Sequence, residues 1–311
     1  MTVRALSPAL RKKAEKEINE NPKRVGNDLE AFKSWLVKQP HLHLVKPTDQ
    51  WLLAFLRGNK FSIERSKEKL DTYYTMRTIV PEIFANRDPF DPKIQEILKL
   101  GVFLPLRKCN KEDSPRPCIM RLGIFDPTKY HLYDLVKVAI MTTEILLLDD
   151  DNLTVAGEEV VVDMQDIKMN MLSQFTPTLA KKIISCFEKA LPIRVRHTHF
   201  LNPSTGFDTG YSIFKMFLGE KMKKRIQVHT KGYKGLYKTI PKSVLPIEYG
   251  GNDGSVNDLA EYWKAKLESY RDWFLEQEKA RSDESKRMDT PPKNSTIVFG
   301  VEGSFRKLEV D

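Results

Sequence analysis

At Gly101 the apolar period of this 311-residue chain changes, and that switch restricts the fold more than any motif does. Before it, apolar residues recur at helical intervals. After it, residues 118–124, led in by Pro115 and Pro117, read as a strand, and 132–148 as a long, mostly apolar helix. Residues 159–164, with three consecutive valines, predict a second strand, 178–190 an amphipathic helix, and 193–201 a further strand. Strands separated by helices of ten or more residues need crossover connections, so the sheet is mainly parallel and flanked by helices. The fold class is α/β, preceded by a helical bundle.

In the first hundred residues, Ile18, Leu29, Phe32, Trp35 and Leu36 give residues 9–39 a helical pattern, and Pro40 and Pro47 fence off a loop. Thr48 is a suitable N-cap for a helix carrying Trp51, Leu52, Phe55 and Leu56 and stopping near Gly58. Ser62 is placed to cap the next one, with Ile63, Leu70, Tyr73, Tyr74 and Met76, until Pro81 ends it. Near the end of the chain, 259–278 predicts one helix with Trp263, Leu267, Tyr270 and Phe274 on one side. The polar stretch 279–295, with Pro291 and Pro292, reads as a mobile linker or wrapped extension, and 297–299 as a short edge strand. The expected division is a helical module over 1–100, an α/β domain over 101–252, and a C-terminal helix and tail over 253–311. Repeats of solenoid or propeller type are not evident.

The N-terminal residues lack the apolar core of a secretory signal, and no apolar run approaches a membrane span; around Val136–Leu148, Lys137, Thr142, Thr143 and Glu144 interrupt it. Three cysteines, Cys109, Cys118 and Cys186, lack C-x-x-C or zinc spacing. A cytoplasmic protein is expected.

Catalytic signatures are missing: the sequence has no G-x-S-x-G, P-loop, G-x-G-x-x-G or H-E-x-x-H. Gly250-Gly251-Asn252-Asp253-Gly254 reads as a plain turn, and Asp149-Asp150-Asp151 as a solvated acidic cluster. His197-x-His199 puts two imidazoles on one strand face, but the sequence does not identify a third metal ligand, so both read as hydrogen-bonded histidines. Cys186, among Ile183, Ile184 and Phe187, reads as a small apolar residue. The expectation is a protein that is not an enzyme and carries no metal.

The charge excess of +9 is concentrated. Between Lys215 and Lys242 lie nine lysines and arginines (Lys215, Lys221, Lys223, Lys224, Arg225, Lys231, Lys234, Lys238, Lys242) against one acid, Glu220. A patch of this kind makes a usable local field, so an anionic partner is expected. Just upstream, Phe207, Tyr211, Phe214 and Leu218 fall at steps of 4, 3 and 4 along one helical face, widened by Ile213 and Phe217. Such a stripe packs into a core; followed by a lysine-rich turn it also suits a helix that exchanges protein contacts for a lipid surface. Arg194 and Arg196 alternate with Ile193 and Val195, which places both guanidinium groups on one strand face. Nucleic-acid binding is the rival reading of the patch, weakened because the nearby aromatics follow a helical apolar face. A scaffold with a filled core is the third.

A series of segments organises these features. Trp51-Leu52-Leu53-Ala54-Phe55-Leu56-Arg57-Gly58-Asn59-Lys60-Phe61 is followed by Arg121-Leu122-Gly123-Ile124-Phe125-Asp126-Pro127, Val161-Val162-Asp163 and Thr176-Pro177. Then come Leu191-Pro192-Ile193-Arg194-Val195, Leu201-Asn202-Pro203, Phe217-Leu218-x-Glu220-Lys221 and Leu245-Pro246-x-Glu248-Tyr249-Gly250-Gly251. In this order, from about Pro47 to Gly251, the chain resembles CRAL-TRIO lipid-transfer proteins, in the branch that carries tocopherol and retinaldehyde and in the form common in insects.

The resemblance implies a sheet-floored cavity for one hydrophobic ligand (tocopherol-, retinoid- or carotenoid-like), a mobile gate helix, and a basic patch that recognises phosphoinositide bisphosphates. It implies reversible membrane association and no cofactor. Matched by motif, the cavity positions are Val136, Ala139, Ile140, Thr143, Val160, Val162, Ile167, Ile183, Cys186, Phe187, Leu191 and Ile193. The gate carries Phe207, Tyr211, Phe214 and Leu218. The phosphoinositide patch falls on Arg194, Arg196, Lys221 and Arg225. A further basic residue of the family falls on Asn59, so that contact is lost or supplied by Arg57 or Lys60. Ile167 stands where the family has a tryptophan, so ligand identity does not carry over.

Overall fold

The computed structural model describes residues 3–288 apart from 168, 204–206 and 231. The proposed edge strand at 297–299 lies outside the described residues.

The stretch 9–39 forms two helices rather than one continuous run. Helix α1 (Pro8–Ile18) has Pro8 in its first turn and the Ser7 hydroxyl accepting from the Leu10 N–H; it ends where Asn19 turns left-handed, at φ 61°. Helix α2 (Val25–Val37) follows. In α3 (Asp49–Gly58) the Thr48 hydroxyl accepts from the Trp51 N–H at 3.2 Å, and every residue from Trp51 to Arg57 is buried. Helix α4 (Ile63–Ile79) begins after Ser62, whose side chain does not cap it; the Ser62 carbonyl instead accepts from the Ser66 hydroxyl. Pro81 ends α4 and opens the short α5 (Pro81–Phe84), and α6 (Pro92–Leu100) is capped by Asp91 and closed by left-handed Gly101.

The sheet has five strands in sequence order. β1 (Phe103–Pro105) runs antiparallel to β2 (Arg116–Arg121); β3 (Glu158–Asp163), β4 (Val195–Leu201) and β5 (Ile226–His229) continue it in parallel. β1 and β5 are not apparent in the sequence pattern. Helix α7 (Leu132–Asp149) separates β2 from β3, and α8 (Met169–Gln174) and α9 (Pro177–Ile184) separate β3 from β4. The expected helix 178–190 is α-helical only to Ile184 and continues as a π-helical turn, Ser185–Ala190. Between β4 and β5 lie α10 (Phe207–Phe217) and α11 (Glu220–Lys223).

One irregularity decides which strand residues face which side. Glu158 pairs with Val195 but Glu159 pairs with His197, so Arg196 is the extra residue of a β-bulge. Beyond it Thr198 and Phe200 share a face with Val160 and Val162, while His197 and His199 share the opposite face with Glu159.

The helical module is joined to the sheet by buried polar contacts. Glu144 on α7 accepts from the Tyr73 hydroxyl and from Arg87 Nη1, both at 2.6 Å, and all three groups are buried. Arg57 donates to both carboxylate oxygens of Glu20, at 2.9 and 3.1 Å, and to Asp151. At Gly58 a Cβ would stand 2.0 Å from the Pro192 carbonyl oxygen, so only glycine permits α3 to approach the loop before β4 so closely. Lys69 donates to the Glu188 and Leu191 carbonyls at 2.9 and 3.0 Å; burial brings its ammonium down to about 8.

The expected helix 259–278 breaks at Tyr270 into α12 (Val256–Ser269) and α13 (Arg271–Gln277). Trp263 of α12 donates its indole N–H to the Pro105 carbonyl at 2.7 Å, fixing α12 on β1. The following residues, to 288, wrap back over the helical module instead of forming a mobile linker. The Ser282 and Asp283 amides bond to the Tyr74 and His41 carbonyls, and Arg287 grips Asp71 through two bonds of 2.9 and 2.8 Å.

Candidate functional site

Between the sheet and α9–α10 lies a cavity of about 280 Å³. Its floor is Met120 of β2 and Leu122 just after it, with Val160 and Val162 of β3, and one wall is Thr198 and Phe200 of β4. Val160 and Val162 are half-buried in mid-sheet because the cavity adjoins them, whereas Val161 on the other face is fully buried. Leu132, Leu135 and Val136, from the first turns of α7, and Ile183 and Phe187 of the α9 segment close the sides.

Helix α10 covers the cavity with its apolar stripe. Phe207, Tyr211, Phe214 and Leu218 all line it, the residues the 4-3-4 spacing singles out. Phe207 and Tyr211 stack with ring centroids 5.3 Å apart, Phe207 meets Phe200 at 5.3 Å, and Phe214 meets Phe175 at 5.8 Å. Met216, by contrast, points outward and is 65% exposed. Just past the end of α10, the Gly219 N–H donates to Glu188 Oε1, a long bond at 3.4 Å.

Of the cavity positions drawn from the family resemblance, Val136, Val160, Val162, Ile167, Ile183, Phe187 and Ile193 line the space. Ala139, Ile140, Thr143, Cys186 and Leu191 are not among the residues that line it. The first three lie further along α7, where that helix has entered the main core; the Thr143 hydroxyl is spent on the Ala139 carbonyl at 2.8 Å. Cys186 and Leu191 are fully buried in the same core, and burial pushes the Cys186 thiol well up.

Lining residues that the sequence reading missed include Met164, Met171 and Phe175 beyond β3, Val195, Thr198 and Phe200 of β4, and Glu158. Thr198 and Phe200 were hidden by the bulge, which shifts the alternation by one after Val195. Glu158 is a polar group in a greasy wall: it is buried, the Cys118 thiol is its side-chain hydrogen-bond partner, and burial pushes its carboxyl up to about 7.

Three of the four patch residues come together. Arg194 donates to the Val155 and Thr154 carbonyls, and Arg196 Nε to the Ala156 carbonyl at 2.7 Å. These oxygens close a π-helical turn, Asn152–Ala156, whose carbonyl end attracts cations. Arg225 donates to the Val195 carbonyl. Burial first, then Arg196 and Arg225, bring the Arg194 guanidinium down to about 10, against the opposing pull of Glu17. Arg196 is further paired with Glu17 of α1 at 2.6 Å, and Lys221 stands exposed on α11. Arg57 cannot replace the basic residue missing at Asn59, because it is buried against Glu20 and Asp151; Lys60 is exposed beside it.

Other sequence features resolve simply. Asp149, Asp150 and Asp151 are paired, with Lys266, Arg116 and Arg4 respectively, rather than merely solvated. The amides of Gly251, Asn252 and Asp253 bond to the Pro246, Lys242 and Leu245 carbonyls, a turn closed on itself. His197 and His199 have a neighbour the sequence did not identify: Glu159, across the β3–β4 ladder. Among the described residues, no helix is long and apolar enough to cross a membrane.

The comparisons with known proteins agree with this architecture. Residues 103–251 match the CRAL/TRIO domain family, and residues 21–94 match a family described as Pinta-like, UBA domain. The chain is 29% identical to human alpha-tocopherol transfer protein-like over 274 residues, covering 88% of this chain and 78% of that protein. It is 27% identical to human clavesin-2 over 247 residues, covering 79% and 75%. The crystal structure of Sfh5 superimposes with a TM-score of 0.50 at 18% identity, covering 86% of this chain and 98% of that one. With its mainly parallel sheet, its helical front module and the match over residues 103–251, the chain carries a domain of the CRAL/TRIO family.

Proposed function

We propose that this protein binds one hydrophobic small molecule in the cavity beneath α10 and delivers it to membranes carrying phosphoinositide bisphosphates. The observation that carries the reading is the apolar cavity of about 280 Å³, walled by Val160, Val162, Phe187 and Phe200 and roofed by Phe207, Tyr211 and Phe214 of α10 with Leu218 just past its end. A tocopherol-, retinoid- or carotenoid-like ligand burying about 400 Å² at ~25 cal/mol per Å² would gain on the order of 10 kcal/mol before ordering costs. Desorption would then be slow unless α10 moved, and α10 is the gate in this account.

Glu158 and Thr198 are among the polar groups in the wall, with Glu188 and Tyr211, and suit a hydroxyl or carbonyl at one end of the ligand. At the membrane, Arg194, Arg196, Arg225 and Lys221 would meet the bisphosphate headgroup. Anionic lipid contributes roughly 1 kcal/mol per basic residue close to the surface, enough over four residues to bias a gate that costs a few kcal/mol to open. The stacked aromatics near the patch face the cavity rather than solvent, which favours this reading over nucleic-acid binding. The role is that of a carrier, without a chemical step.

The test is transfer of a fluorescent retinoid or tocopherol between liposomes with and without phosphatidylinositol bisphosphate. Faster transfer with the bisphosphate, lost in an Arg196→Ala/Lys221→Ala/Arg225→Ala variant, supports the account. Equal rates in both proteins would remove the patch from it.

A further inference from the structure

On the sheet face turned away from the cavity, Glu159 of β3 and His197 and His199 of β4 offer one carboxylate oxygen and two imidazole nitrogens within 4.8 Å of one another. His199 Nε2 lies 2.9 Å from Glu159 Oε1, and His197 Nδ1 lies 3.7 Å from the same oxygen. The arrangement follows from the fold. The bulge puts His197 opposite Glu159, and the two-residue repeat of β4 brings His199 to the same side.

We infer that Glu159, His197 and His199 form a binding site for a divalent transition cation, Zn²⁺ in the first instance, with water completing the coordination. Two imidazoles and one carboxylate are a donor set suited to Zn²⁺, with bonds of about 2.0–2.2 Å. Tetrahedral geometry at that radius needs donors about 3.4 Å apart. The Glu159 pairs already bracket this spacing, and His197, whose side chain is 42% exposed, is free to rotate the remaining distance.

Two further features suit a metal better than a plain hydrogen bond. His199 Nδ1 lies 2.9 Å from His229 Nε2 on β5, the outer partner a metal-binding imidazole needs to fix its tautomer. Coordination through His199 Nε2 places that ring's proton on Nδ1, donated to His229 Nε2, with the His229 proton on its own Nδ1; no proton need leave the site. Glu159 and Thr239 also border a small cavity of about 40 Å³, giving room for a bound water beside the carboxylate. The site is separate from the lipid cavity and does not depend on the carrier reading.

Untagged full-length protein, stripped with chelator and dialysed against Zn²⁺ alone, should retain one Zn²⁺ per chain by elemental analysis, with Kd at or below the micromolar range by titration calorimetry. His197→Ala, at a partly exposed position, should weaken binding at least 10-fold, and Glu159→Gln likewise. His43→Ala, an exposed histidine elsewhere, should leave it unchanged. Co²⁺ in place of Zn²⁺ should give the visible absorption of a four-coordinate site. Absence of stoichiometric Zn²⁺ in the wild type, or equal affinity in His197→Ala and wild type, would overturn the assignment and leave a hydrogen-bonded histidine chain.

Discussion

Arg196 Nη2 donates to Glu17 Oε2 at 2.6 Å, so a carboxylate from the first helix occupies the face of the basic patch that a phosphate would use. Both side chains are about one-third exposed, so the pair contributes little to stability and opens readily. Glu17→Gln should therefore strengthen binding to vesicles containing phosphatidylinositol bisphosphate about 5-fold, the equivalent of roughly 1 kcal/mol, and Arg196→Ala should weaken it similarly. Vesicle co-sedimentation measures both. Weaker binding by Glu17→Gln would show that the pair orients the arginine instead of competing for it.

Cavity and core respond differently to added volume. Val162→Trp projects into the cavity and should abolish ligand binding while lowering stability by less than about 1.5 kcal/mol. Ala139→Trp, less than one turn of α7 beyond the cavity-lining Val136 but fully buried in the packed core, should destabilise the fold by about 3 kcal/mol or more whether or not ligand is present. Fluorescent-ligand titration with parallel denaturant unfolding separates the two; unimpaired binding by Val162→Trp would mean that the ligand sits elsewhere.

The C-terminal wrap should be acid-sensitive. Burial pushes the Asp71 carboxyl up, but the Arg287 guanidinium and His41 outweigh it and hold it at about 2. A carboxyl depressed in the folded state gives stability that is present above its ordinary value near 4 and is lost as pH falls towards 2. The contribution is about 2 kcal/mol. Protection factors of the amides at 282–287, corrected for the intrinsic pH dependence of exchange, should fall over that window, and Arg287→Ala should produce the same fall at pH 7. Protection factors unchanged from pH 5 to pH 2.5 would contradict the linkage.

Glu144 is the only carboxylate paired with Arg87 among the described residues, and both are fully buried. Glu144→Ala leaves that guanidinium and the buried Arg77 guanidinium, 3.7 Å from Glu144, uncompensated and the Tyr73 hydroxyl without its acceptor, and should cost about 3–5 kcal/mol. A double variant, Glu144→Leu/Arg87→Met, should recover the part of the loss due to Arg87 in urea unfolding. A double variant as unstable as Glu144→Ala would place the cost in Arg77 or in packing rather than in the Arg87 charge.

What was legible in the chain follows the reach of local pattern. The stripe Phe207, Tyr211, Phe214 and Leu218 is written in one helix, and all four residues reach the cavity. The strands with β-branched runs were equally plain. β1 and β5, with three and four residues, are too short to show a period. The bulge at Arg196 reverses the facing of β4 without any local mark, which is why Thr198 and Phe200 were missed. Glu159 was illegible as a neighbour of His197 because cross-strand register is set by tertiary pairing. Ala139, Ile140 and Thr143 were assigned by resemblance, and the orientation of α7 turns them into the core.

Native mass spectrometry of the freshly purified protein, followed by organic extraction, tests the carrier account most directly. The account predicts a mass excess of a few hundred daltons from one lipophile, lost on denaturation and absent in Val162→Trp. A wild-type protein that shows only its polypeptide mass, and that takes up no retinoid, tocopherol or carotenoid when offered them, would contradict it.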